Sequence, residues 1–180
     1  MRKSNKGFTL LEVLIVVVIA VSVAAFGVPA YKKSQERNRY LAAQGVLMDL
    51  GNAVRTFRQD LKIDCISNKV DVKTFPYSTT AVQLAYSWQK NTQEGDLSSL
   101  TTNAAMGAAM FTRKYLAPIQ FPTGTDVYKG YSFYICPQTT SSSSYCCGGD
   151  STVVACTRNT SSTNYQWARY HKDGSITQSN

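Results

Sequence analysis

A single carboxylate, Glu12, stands inside an apolar run that extends from Phe8 to Tyr31. An ionised group in such a run is costly and usually functional, so Glu12 points to a cationic partner in the same apolar setting. The alternative is local, since a carboxylate in the first turn complements the positive end of its own helix. Five cysteines form a second set: Cys65, Cys136, Cys146, Cys147 and Cys156, all downstream of the run. Clustered cysteines in a small exported domain form disulfides. Zinc is the weaker reading, because the chain has no Cys-x-x-Cys pair and His171 is its one histidine. Enzymatic signatures are missing. There is no Gly-x-Ser-x-Gly elbow, phosphate loop or helix bearing metal ligands, so neither an enzyme nor a cofactor is expected. His171 beside a turn reads as a surface residue rather than a base. Glu94 and Asp96 supply too few oxygens to define a calcium site, which leaves calcium open.

The run that holds Glu12 is long enough to cross a bilayer. As a helix it measures roughly 36 Å at about 1.5 Å per residue, against a hydrocarbon core of about 30 Å. Arg2, Lys3 and Lys6 precede it, and Lys32, Lys33, Arg37 and Arg39 follow, so charge alone does not orient it. Pro29 predicts a kink near Val28, because proline lacks an N–H and crowds the carbonyl one turn earlier. A removed secretory signal is the competing reading, with Ser22-Val23-Ala24 or Ala24-Ala25 as its cleavage site. The length of the run and Glu12 within it favour a retained helix. No further proline occurs until Pro76, and the helical pattern continues. Tyr40, Leu47, Val54 and Leu61 recur every heptad, with Ala43, Leu50 and Phe57 between them, which makes one apolar stripe. The stripe suits a short coiled-coil seam or a helix laid on a sheet. So few repeats favour the sheet. A helix from Phe8 to about Lys62 would be roughly 80 Å long.

Residues 63–180 suffice for one small domain. Thr80–Lys90 and Asn103–Leu116 are predicted short helices, the second capped by Asn103. Val127–Cys136, Val153–Thr157 and Tyr165–His171 are predicted strands. Lys172-Asp173-Gly174 turns the chain, and Ser175–Gln178 returns as a hairpin partner. Thr139–Ser144 is a surface loop. The fold class is therefore α+β, a long amino-terminal helix packed on a small antiparallel sheet. Cys136 and Cys156 flank the vicinal Cys146-Cys147. The expectation is that each takes one of that pair and that Cys65 is left as a possible free thiol. Spacing does not decide which takes which. Each closed loop would stabilise by about 2–4 kcal/mol.

The segment Gly7-Phe8-Thr9-Leu10-Leu11-Glu12 resembles the processing site of the type IV pilin and pseudopilin family. Its short leader is like those of the type IVa class, and Pro29-Ala30-Tyr31 matches the family at the same offset. Val21 departs, since many members carry glycine there. The detailed match covers roughly residues 6–40, and the remainder matches in plan. The resemblance implies that a prepilin peptidase cuts between Gly7 and Phe8 and methylates the new Phe8 amine. It implies that Glu12 pairs with the Phe8 amine of a neighbouring subunit, with Pro29 shaping the assembled helix. The implied division is a leader over 1–7, a membrane and filament-core helix over 8–31, its amphipathic half over 32–62, and a head over 63–180. The cystine-closed carboxy-terminal region resembles the corresponding loop of many pilins.

The function implied is that of a structural subunit of a type IV pilus. The alternatives are a pseudopilin of a type II secretion system, or a minor pilin acting as an adhesin or DNA-capture module. Implied partners are identical or homologous pilin subunits, the peptidase, the pilus assembly machinery, and the inner membrane before assembly. The implied locations are single-pass in the inner membrane, then the extracellular filament. The cysteines favour the pilus over the secretion piston, whose major subunits usually lack them. Glu12 favours a repeated subunit over an initiating tip subunit. The formal net charge is +8, and removal of Arg2, Lys3 and Lys6 leaves +5. The head has no basic run longer than two residues, so nucleic acid is not an expected partner. Asn159-Thr160-Ser161 fits a glycosylation acceptor, a tripeptide common by chance.

Overall fold

The structure, a computed structural model of the 180-residue chain, describes residues 9–64, 82–84, 88, 102–119, 130–137, 145–159, 161 and 166–179. Gly7, Phe8, Cys65, Glu94, Asp96 and residues 139–144 lie outside these. Helix α1 spans Leu10–Asp64 and passes through Pro29 without interruption. The chain divides into two compact units, Met1–Asn38 and Arg39–Asn180.

In the first unit the apolar side chains of α1 from Leu10 to Tyr31 are exposed around the whole helix. Among the described residues α1 is the one helix long and apolar enough to cross a membrane, by length and composition. Ser22 donates its hydroxyl to the Val18 carbonyl at 2.7 Å, so the polar group is satisfied inside its own helix. A helix apolar on all sides is stable only against lipid or other helices.

The second unit holds the rest of α1 and, among the described residues, one antiparallel sheet. Strand β1 is Val82–Gln83, followed by helix α2, Asn103–Thr112. Strands β2 (Tyr131–Ile135), β3 (Val153–Asn159), β4 (Trp167–His171) and β5 (Ile176–Gln178) complete the order β1-β2-β3-β4-β5. The β4–β5 turn closes at Gly174, whose φ of +90° suits glycine.

Alternation along the strands gives the sheet two faces with different partners. Tyr131, Phe133 and Ile135 of β2, with Ala155, Ala168 and Tyr170, point inward. They share one core with Tyr40, Ala43, Leu47, Leu50, Val54 and Phe57 of α1 and Met106 and Met110 of α2. Tyr134, Cys156 and Trp167 point outward into a second, smaller cluster. A register shift between Val153 and Ala155 lets Val154 and Ala155 both join the inner core while Val153 joins the outer one. Polar bonds fix the helix on the sheet. The Tyr40 hydroxyl donates to Gln178 Oε1 at 3.0 Å, and the Tyr170 hydroxyl donates to Asn52 Oδ1 at 2.6 Å. Tyr115 donates to Asp60 Oδ2 at 2.8 Å.

Two expectations are corrected. Val82–Gln83, expected in a helix over 80–90, is a strand, because Val82 pairs with Ile135 and Gln83 with Tyr134. Pairing to an open sheet edge outweighs local periodicity in so short a segment. The cap of α2 is Thr102 rather than Asn103. Thr102 is extended and its hydroxyl accepts from the Ala105 amide at 3.2 Å. That helix stops at Thr112, short of Leu116, where Lys114 takes a φ of +61° and Tyr115 donates back to the Met110 carbonyl.

Two glycines of α1 give a paired prediction. A β-carbon at Gly51 would overlap the Tyr170 ring, which its own hydroxyl bond holds in place, whereas at Gly45 it would meet nothing. Gly51→Ala should destabilise the head by about 1–3 kcal/mol, and Gly45→Ala should stabilise it by about 0.5–1 kcal/mol. Both tryptophans, Trp88 and Trp167, lie in this unit. Denaturant unfolding followed by their fluorescence reads the difference, and equal effects would refute this packing.

Candidate functional site

Two constellations carry the chemistry, one in each unit. At the amino terminus of α1, Thr9 and Glu12 form a reciprocal capping box. Glu12 Oε2 accepts from the Thr9 amide at 2.9 Å and from the Thr9 hydroxyl at 3.0 Å. The Glu12 amide donates to Thr9 Oγ1 at 3.3 Å. Both carboxylate bonds fall on Oε2, and Oε1 carries none among the described residues. Glu12 therefore serves its own helix through one oxygen and keeps the other as an acceptor. Sequence reading weighed these as alternatives, and a carboxylate has lone pairs enough for both.

In the head, Cys136 is bonded to Cys147 and Cys146 to Cys156, with Cα separations of 5.7 and 5.8 Å. The vicinal pair thus ties the end of β2 to the middle of β3 across the outer face. All four cysteines are buried, and Cys156 Sγ lies 3.7 Å from Cys136 Sγ and 3.5 Å from Cys147 Sγ. Sulfurs this close could suit a metal, but disulfide sulfurs lack the thiolate charge that ligates one. The Cys136 amide donates to the Val154 carbonyl at 2.9 Å, and Arg58 of α1 donates to the Cys136 carbonyl at 3.2 Å. Burial pushes the Arg58 guanidinium down to about 10. Tyr145 enters the clasp at a φ of +58° and stacks on Tyr134, with ring centroids 4.7 Å apart. Gly148 follows at +69°, with the Arg169 guanidinium filling the space a β-carbon would need.

His171 sits between two hydroxyls, with Nδ1 2.9 Å from Thr152 Oγ1 and Nε2 2.8 Å from Thr177 Oγ1. Asp150 Oδ2 is 3.9 Å from Nδ1. Asp150 Oδ1 accepts from the Thr152 amide and hydroxyl, each at 2.8 Å. Those two bonds, then the charges of His171 and Arg169, hold its carboxyl below the usual aspartate range. Asp173 is lowered likewise by the Ser175 hydroxyl and amide. These bonds join the end of β4 to its neighbours, a structural role for the histidine. Asn159 is buried in β3, and its Oδ1 accepts from the Ser161 amide at 2.8 Å. The folded head therefore does not present it as a glycosylation acceptor.

A long helix with an apolar amino-terminal stretch, followed by a small five-stranded antiparallel sheet, defines a pilin-like α+β protein. Residues 2–28 match the family described as the prokaryotic N-terminal methylation motif, the signature of type IV prepilins and pseudopilins. The motif and the apolar stretch fit membrane anchoring. No curated protein and no solved structure matches the chain.

Two predictions concern the head. Alkylation of native protein should leave four cysteines unlabelled, and reduction should release them. Removing one bridge by Cys146→Ala with Cys156→Ala should cost about 3 kcal/mol. Labelling of all five thiols before reduction would rule the bridges out. Asp150 and Asp173 should titrate below the ordinary aspartate range by NMR. Because their folded values are depressed, their stabilisation is present above the unfolded value and disappears as pH falls through the folded one. Midpoints at or above the ordinary range would contradict the two turn-capping arrangements.

Proposed function

We propose that this chain is a structural subunit of a type IV pilus, cut after Gly7, methylated on Phe8 and polymerised through the apolar part of α1. The observation that carries this reading is a methylation motif at 2–28 that runs directly into a helix exposed on every apolar side. Before assembly, residues 8–31 would anchor the subunit in the inner membrane. Afterwards the same surface would pack on identical or homologous subunits in an extracellular filament. Residues 32–62 would continue that helix into the head. The role is structural rather than enzymatic.

Cleavage after Gly7 would create a cationic amine at Phe8, one turn from Glu12. In an apolar bundle an unpaired charge costs several kcal/mol. The Oε1 of Glu12, unoccupied within the described residues, supports pairing with the amine of a neighbouring subunit. Docking at the correct stagger satisfies both charges, and a wrong stagger strands them. A secretion pseudopilin shares the motif, and the location of the filaments distinguishes the two.

Mass spectrometry of sheared surface filaments should find this chain as their bulk component, beginning at methylated Phe8. Its absence there, with loss of protein secretion on deletion, would assign it to a secretion piston. Glu12→Ala should insert normally, since the charge it removes costs at least about 2.5 kcal/mol in the bilayer. It should lose filaments, because breaking a buried pair costs about 3–5 kcal/mol. Thr9→Val removes only part of the cap, about 1 kcal/mol, and should keep filaments once processing at Phe8 is verified. Wild-type filament numbers with Glu12→Ala would sink the pairing role. Equal damage from both variants would reduce Glu12 to its cap.

A further inference from the structure

The outer face of the sheet carries a cleft of about 290 Å³ beside the disulfide clasp, lined by Tyr145, Arg158, Asn159, Gln166, Trp167 and Arg169 together with Cys146. Its positions follow from the strand register. Arg158 of β3 stands directly opposite Trp167 of β4, and Arg169 lies two residues further along β4 on the same face. Two arginines therefore share this face with one indole. Among the described residues no acidic side chain lines this cleft. Asp150 feels the charge of Arg169 but is not part of the lining.

The two arginines are prepared differently. Arg169 is held in place: its Nε donates to the Cys146 carbonyl at 2.5 Å and its Cζ lies 4.2 Å from the centre of the Trp167 ring. Arg158 is exposed and makes no hydrogen bond or ion pair among the described residues. Like charges on neighbouring strands repel, so an anion would relieve this face. Asn159 contributes to the wall, but it is buried, stands opposite the inward-pointing Tyr131 and spends its oxygen on the Ser161 amide. The amide available to a ligand is that of Gln166, which is exposed and whose side chain is uncommitted among the described residues.

We propose that this cleft binds the carboxylate-bearing ring of an acidic saccharide, a sugar of the uronic-acid type. A guanidinium fork matches a carboxylate in geometry and charge. The Gln166 amide suits a ring hydroxyl, and the aromatic walls suit the C–H faces of a sugar. A cleft of this volume is at the small end of ligand sites and fits a single ring. A nucleic-acid strand, by contrast, needs a cationic groove that follows several phosphates, and this lining has two cations. The inference stands whether the filament belongs to a pilus or to a secretion system.

The test uses the full chain in detergent micelles, with the Trp167 indole resonance as reporter. Glucuronate, up to about 10 mM to match the millimolar affinity of a single ring, should shift Trp167 and leave Trp88 unmoved. Glucose and acetate at the same concentration should not. Arg158→Gln should weaken glucuronate binding by roughly tenfold or more, the effect of losing a charged hydrogen bond, with unfolding unchanged because the side chain is exposed. Gln166→Ala should weaken it less. The proposal is overturned by no glucuronate response, or by an equal response to acetate or inorganic phosphate, which would mark a simple anion site. It is also overturned if single-stranded oligothymidine binds more tightly than glucuronate and loses that binding in Arg158→Gln.

Discussion

The burial of one α1 stripe against the inner face of the sheet is the contact on which the head depends. Leu47, Leu50, Val54 and Phe57 are fully enclosed, and fully burying a large apolar side chain is worth about 1.5–3 kcal/mol. The same helix begins with a stretch that its own chain leaves uncovered. One continuous element thus meets two apolar environments, and its side-chain pattern changes accordingly. Before residue 31 the apolar residues surround the helix, and from Tyr40 onward the buried ones keep to one side, with Gln44, Asp49 and Arg55 between them and Leu41 and Met48 left exposed. That change of pattern is why the chain divides near Asn38 although the helix does not.

The outer face of the sheet has the opposite difficulty, because no helix among the described residues covers it. Here Cys146 and Cys147, from the segment between β2 and β3, lie on the sheet, and the two bridges hold them there. The register shift in β3 makes this possible by turning Val153 and Cys156 both outward. Without it, strict alternation would put one of them in the inner core. Tyr145 tolerates a left-handed backbone in this clasp because it stacks on Tyr134 as it does so. Cysteines, bulge and stacked rings are thus one device that covers this part of the outer face.

How far the sequence could be read depends on the range of the interaction that decides each element. The α1 stripe was legible because its spacing is repeated over many turns, and the β4–β5 hairpin because Asp173-Gly174 is a local turn signal. Strand β1 was not, since two residues carry no period and Val82 owes its conformation to Ile135, far along the chain. The cap of α2 was displaced by one residue because Thr102 and Asn103 are both good caps, and the bond to Ala105 chose between them. The all-buried run Val153–Thr157 hid its bulge, as only the neighbouring strands reveal which side each residue faces. Glu12 could be singled out from its apolar setting, but the use of one oxygen for Thr9 needed geometry. The arginines beside Trp167 were not singled out at all. Arg158 and Arg169 are separated in sequence, and only strand pairing makes them neighbours.

The vicinal cysteines also decide how the head would carry load. A pull applied along α1 reaches the sheet through the inner core and through Arg58, which holds the Cys136 carbonyl. Cys136 is covalently joined to Cys147, and Cys147 by one peptide bond to Cys146, which is bonded to Cys156 in β3. Strands β2 and β3 cannot slide past one another without stretching that covalent path. Tension on the helix would therefore end in bonds that do not yield, so the β2–β3 ladder resists shear by covalent as well as hydrogen bonds.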